Sequence, residues 1–149
     1  MQLQRPHDHR KKLRRCGFSL FEIVLVLAIV SVLVALSAPS FRRATEQAQA
    51  DIAAANLRAI WSTQRFYWLD NRSFASNLSD LQSMLDPSIA AASTPYTYTI
   101  SVVDNNTFTV TATRTGSSKW AGQITIDQTG AMAGSIQASG ETAITPGFH

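Results

Sequence analysis

A single carboxylate interrupts the most apolar stretch of this 149-residue chain. Glu22 closes the segment Gly17-Phe18-Ser19-Leu20-Phe21-Glu22 and precedes Ile23 to Leu36, where only Ser31 is polar. An ionised side chain deep in lipid costs on the order of a few kcal/mol, less near an edge. That cost falls when a cation pairs with it. Glu22 is therefore a candidate for ion-pair chemistry, and a snorkelling carboxylate near the interface is the plainer alternative.

The other residue types that carry chemistry are poorly placed. His7 and His9 lie near the start and His149 is last, so none stands where a folded site would hold a general base. There is no nucleophile elbow and no phosphate-binding glycine loop. The chain is not expected to be an enzyme or to need a cofactor. Asp80, Asp86, Asp104 and Asp127 could offer oxygens to a hard cation, but their spacing follows no loop motif, so they read as solvated turn carboxylates and no metal site is expected. Cys16 is the only cysteine, which rules out an intramolecular disulfide. It lies ahead of the apolar run, where a lipoprotein cysteine would follow one, and reads as a structural bystander. Asn71, Asn77 and Asn105 each begin a glycosylation triplet, a motif too short to carry weight.

Charge is divided unevenly. The chain is +3 overall, yet six of its 13 Lys and Arg fall within the first 17 residues, opposed only by Asp8. The remainder is net acidic and shows no basic stripe that would follow a phosphate backbone. Trp61, Tyr67, Trp68, Tyr96, Tyr98 and Trp120 could stack bases, but most lie on faces that need burial. Nucleic acid is not expected as a partner, and Trp120, beside Lys119, is the one aromatic expected to be available at the surface.

Residues 18 to 37 would span about 30 Å as a helix, one hydrocarbon core. The basic flank would stay cytoplasmic, giving one pass with the N-terminus inside. A cleavable secretory signal is one reading, with Ala35-Leu36-Ser37 as a tolerable cleavage site and Arg14-Arg15 as a hint of a twin-arginine signal. Against it, the run is long for a signal core, and Glu22 has no use there.

The hexapeptide Gly17-Phe18-Ser19-Leu20-Phe21-Glu22, after a basic leader and before an apolar helix, resembles the cleavage and methylation signal of type IV prepilins and type II secretion pseudopilins. The resemblance implies that a prepilin peptidase cuts after Gly17 and that a methyltransferase activity of the same enzyme family methylates the new terminal Phe18. It places Glu22 where the family has its glutamate and Pro39 where many members have proline. Cleavage would create an α-amino group, basic near pH 8, which an incoming subunit would offer to a glutamate already in the filament. The partners implied are that peptidase, other pilin or pseudopilin subunits and the cytoplasmic membrane. The destination implied is a pilus at the cell surface or a periplasmic pseudopilus, with a minor pilin or pseudopilin as the role. A secreted or periplasmic binding domain, or a pilus-tip minor pilin that binds DNA or surfaces, are the competing functions.

The elements that must position these residues follow from periodicity. Ala28, Ser31, Ala35 and Ala38 place small residues on one face of the apolar helix, which would let helices approach closely. Pro39 removes a backbone donor and predicts a kink. Beyond it the pattern stays helical to about Leu69, with Ala53, Leu57, Ile60, Trp61, Gln64, Tyr67 and Trp68 on one face, apolar except for Gln64. Arg42, Arg43, Glu46, Asp51, Arg58 and Arg65 read as polar surface. A short helix is predicted over Leu78 to Leu85, ended by Asp86-Pro87. Tyr96 to Val103 and Thr107 to Thr113 alternate as a hairpin about Asp104-Asn105-Asn106. A third strand is predicted over Gln123 to Asp127 and a weak fourth over Met132 to Gln137. The expectation is an α+β protein: a long N-terminal helix, membrane-spanning in its first half, packed by its second half on a small antiparallel sheet of 3–4 strands. Its parts are a leader at 1–17, an assembly helix at 18–38, an amphipathic continuation at 39–72 and a body at 73–149. The hairpin and the Gln123 to Gly130 stretch look like small pilins, many of which carry a disulfide here. Without one, Ser139 to His149 is expected to be loose.

Overall fold

The computed structural model describes residues 18–90, 95–104 and 106–147, without the side chains of residues 38, 39, 90 and 103. The leader with His7, His9, Cys16 and Gly17 lies outside the described residues, as do Asn105 and His149, and the surroundings of Ala38 and Pro39. The chain divides into two units at Pro39–Ser40. Helix α1, Leu20–Asn71, runs across that division.

In the first unit, α1 reaches Ser37 without burying a residue: Leu20–Ser37 is long and apolar enough to cross a membrane, and none of it is covered within the chain. Ser31 and Ser37 direct their hydroxyls back to the Leu27 and Leu33 carbonyls, at 2.7 and 2.9 Å, so their polar groups are satisfied inside the helix.

In the second unit, α1 is amphipathic and ends cleanly. Arg72 turns to φ 57, and its N–H reaches the Trp68 carbonyl at 2.9 Å. A residue in the left-handed region is a common way to close a helix. The predicted helix over Leu78 to Leu85 is instead a single 3₁₀ turn, Leu78–Leu81. Pro87 starts a short helix rather than ending one: α2, Pro87–Ala90, is opened by Asp86, whose Oδ1 accepts the Ser88 N–H at 2.8 Å. Proline fits the first helical position, where no backbone partner is needed for its missing N–H.

Four strands, β1 Tyr96–Asp104, β2 Thr107–Arg114, β3 Ala121–Asp127 and β4 Met132–Gln137, form an antiparallel sheet in the order β1-β2-β3-β4. Alternation sends Phe108, Val110 and Ala112 of β2 and Ile124 and Ile126 of β3 to one face, all buried. There they meet Ala50, Ala53, Leu57 and Ile60 of α1 in one core. Each large aliphatic buried this way contributes about 1.5–3 kcal/mol. Between β3 and β4 the backbones come close. A Cβ on Gly134, whose φ is 102, would sit 2.2 Å from the Gln123 carbonyl oxygen, so only glycine fits.

Three further sequence expectations are corrected. Glu46 is buried at 5% exposure, because Arg114 of β2 grips its carboxylate from Nε at 2.5 Å and Nη2 at 3.0 Å. Trp120 is buried at 6% in the core, and its backbone N–H donates to the Ser117 hydroxyl. The tail is not loose as far as Gly147. Ile144 pairs with Ile136 through two backbone bonds of 2.8 and 2.9 Å and is buried with Pro146, while Thr145 and Gly147 accept from and donate to Gln47 and Asp51 of α1. Strand-edge and core contacts anchor this tail without a disulfide.

Candidate assembly surface

The sequence-predicted site residues lie on or beside the first half of α1. Ile23 donates to the Ser19 carbonyl at 3.2 Å, so helical bonding is established as the apolar run begins. Glu22 lies in the first turn of the helix and is exposed. A negative side chain is favoured there by the unsatisfied N–H groups and the positive end of the helix dipole. Phe18, at 76% exposure, stands just ahead of it. Ala28, Ser31 and Ala35 are all exposed and share a face by their helical spacing. Covering Leu20–Ser37 by lipid or by other helices would remove a large apolar area from water, and its backbone is already self-satisfied, as a helix in lipid requires.

Among the described residues, no group of three or more His, Cys, Asp or Glu is arranged to hold a metal ion. Asp86, Asp104 and Asp127, three of the four carboxylates considered as ligands, accept hydrogen bonds within turns. Asp127 accepts from the Thr129 hydroxyl and from the Thr129 and Ala131 N–H groups, and the Thr129 hydroxyl bond is the first cause of its lowered pKa. Asp104 is lowered chiefly by the Asn106 N–H and Asp86 by the Ser88 N–H. Tyr96 is pushed up mainly by burial, with the Glu46 charge adding to it.

Sequence reasoning flagged Gln64 as the polar exception on its face without seeing its task. Fully buried, it makes a reciprocal pair with Ala75: Nε2 to the carbonyl at 2.8 Å, and the Ala75 N–H to Oε1 at 2.9 Å. This clamps the chain after α1 back onto the helix. Beside it a groove of about 500 Å³ is walled by Trp61, Trp68, Phe66 and Phe74. Arg65 lies over Trp61 at 5.1 Å, and Arg72 over Trp68 at 5.3 Å.

Similarity to known proteins agrees with this geometry. Residues 49–144 match the family described as "Type IV pilin-like G and H", and residues 12–38 match the "Prokaryotic N-terminal methylation motif". The chain is 31% identical over 106 residues to the type IV wide pilus major component PilA4 of Thermus thermophilus, covering 70% of this chain and 77% of that protein. It is also 31% identical over 72 residues to the type II secretion system core protein G of Pseudomonas aeruginosa, covering 48% of this chain and about half, 51%, of that relative. An apolar helix opened by an exposed glutamate, a four-stranded meander on its continuation and these matches lead to one conclusion: the chain belongs to the type IV pilin and type II secretion pseudopilin family.

Proposed function

We propose that this structural subunit polymerises through its own N-terminal helix, after a prepilin peptidase removes residues 1–17 and Phe18 is N-methylated. The observation that carries the reading is Leu20–Ser37, an apolar helix with none of its residues covered inside the chain, lying within the 12–38 stretch that matches a methylation motif. Such a surface needs lipid before assembly and other helices after it. The subunit enters the cytoplasmic membrane with its N-terminus inside, then passes into a surface pilus or a periplasmic pseudopilus as a minor pilin or pseudopilin. Ala28, Ser31 and Ala35 form the close-approach face. Pro39 supplies a bend where the helix leaves the membrane.

Glu22 acts as the registry device. An unpaired carboxylate is costly at low dielectric, and the amine of a neighbouring Phe18 relieves that cost only in one alignment. The mature chain recovered from the membrane is expected to begin at methyl-Phe18, as read by mass spectrometry of its N-terminal peptide. A chain beginning near Ala38 would overturn the reading in favour of an ordinary signal peptide.

A further inference from the structure

Two arginines, Arg42 and Arg43, come soon after the apolar run in the same helix α1. From Phe18 onward they are the first Lys or Arg in the chain, and the next is Arg58. Arg42 is exposed and Arg43 is half-buried. The carboxylate nearest to them in sequence, Glu46, stands one helical turn on, at a spacing where ion pairs are ordinary. It is turned away from them, with both of its oxygens held by Arg114 of β2. Among the described residues, neither Arg42 nor Arg43 has an ion-pair partner. Phe41, directly before them, is 73% exposed. An exposed aromatic and two unneutralised guanidiniums therefore follow an apolar run of membrane length. That composition suits the boundary between acyl chains and headgroups.

We propose that Phe41, Arg42 and Arg43 anchor the chain to anionic phospholipid headgroups on the outer side of the cytoplasmic membrane. The proposal rests on the reading of Leu20–Ser37 as a membrane span with its N-terminus inside, and adds the class of lipid that the span's outer end prefers. Position along the chain supports it. The rise from Ser37 to Arg42 and Arg43 is about 7.5–9 Å of helix, and the headgroup layer is about 5–7 Å deep on each side of the hydrocarbon. A long arginine stem covers the difference by lying along apolar surface with its guanidinium among the phosphates. The planar fork of donors meets two phosphate oxygens at once. Phe41, one residue nearer the span, takes its ring out of water among the acyl chains.

Leader removal gives this anchor its task. The intact chain carries six Lys and Arg within residues 1–17, so the leader governs orientation during insertion. Once the leader is gone, the inner end keeps Glu22 and a new α-amine, and the nearest basic side chains to the span are Arg42 and Arg43. Headgroup attraction at the outer end then holds the waiting subunit at a fixed depth, and extraction into a filament has to break it. Salt screens such an attraction, because these charges face water.

The test uses the full chain carrying Cys16→Ser and Ala44→Cys, labelled with a fluorophore at the exposed residue 44 and reconstituted in phosphatidylcholine vesicles. A small share of the lipid carries a spin label in its headgroup and quenches the fluorophore, so only lipid at that end of the span is read. Labelled phosphatidylglycerol is expected to quench at a concentration about fivefold or more below that needed with labelled phosphatidylcholine, fivefold being the effect of one basic residue near an anionic surface. Adding Arg42→Gln and Arg43→Gln is expected to make the two lipids equal. Equal quenching before those substitutions would overturn the proposal, and so would a preference that survives both. Inorganic phosphate that abolishes the preference, where sodium chloride of the same ionic strength leaves it, would mean a site for free phosphate and would overturn it too. A labelled chain that does not float with the vesicles would sink the membrane reading itself.

Discussion

Glu46 and Arg114 are 68 residues apart in sequence and hold each other at 7% and 8% side-chain exposure. Removing one partner strands the other charge, so Glu46→Ala is expected to lower the unfolding free energy by about 3 kcal/mol, measured by urea denaturation of the full chain. Glu46 was legible only as a charged residue one turn before Ala50, and charge type pointed to solvent. Its burial depends on where β2 ends, which no local pattern encodes. Gln64 was half legible: periodicity put it on the core face, but its partner is the backbone of Ala75, beyond a turn whose geometry rests on Arg72 in the left-handed region. Glu22 stood out by composition alone, which needs no knowledge of the fold.

At the scale of elements, the long helix and the strands followed from their periods, since 3.6 and 2 are readable wherever one face is buried. Short elements were less readable. The 3₁₀ turn at Leu78–Leu81 and α2 at Pro87–Ala90 are four residues each, too short to show a period, and Asp86-Pro87 serves as a helix start as well as a stop. The tail was misjudged for a related reason. Ile144 and Pro146 are two isolated apolar residues, and what orders them is Ile136 across the sheet edge. Ile144→Ala is therefore expected to cost about 3 kcal/mol despite lying five residues before His149. An unchanged melting transition would show that this anchoring contributes little.

At the scale of the molecule, the apolar helix Leu20–Ser37 has no cover within the chain, and lipid or other helices would have to take its surface out of water. Glu22→Ala is expected to leave membrane insertion unchanged and to reduce recovery in filaments about tenfold or more, equivalent to ~1.4 kcal/mol or more per contact. Immunoblots of membrane and sheared-filament fractions would read both. Wild-type incorporation by this variant would remove the registry role while leaving the family assignment untouched.

The anchored tail also decides where the protein can be labelled. Gly147 donates to Asp51, and Thr145 accepts from Gln47, so the last described residues lie against α1. A reporter fused to the C-terminus would be delivered beside the helix. The turn at Gly116, with open space around it and exposed Ser118 nearby, offers a separate site for an epitope.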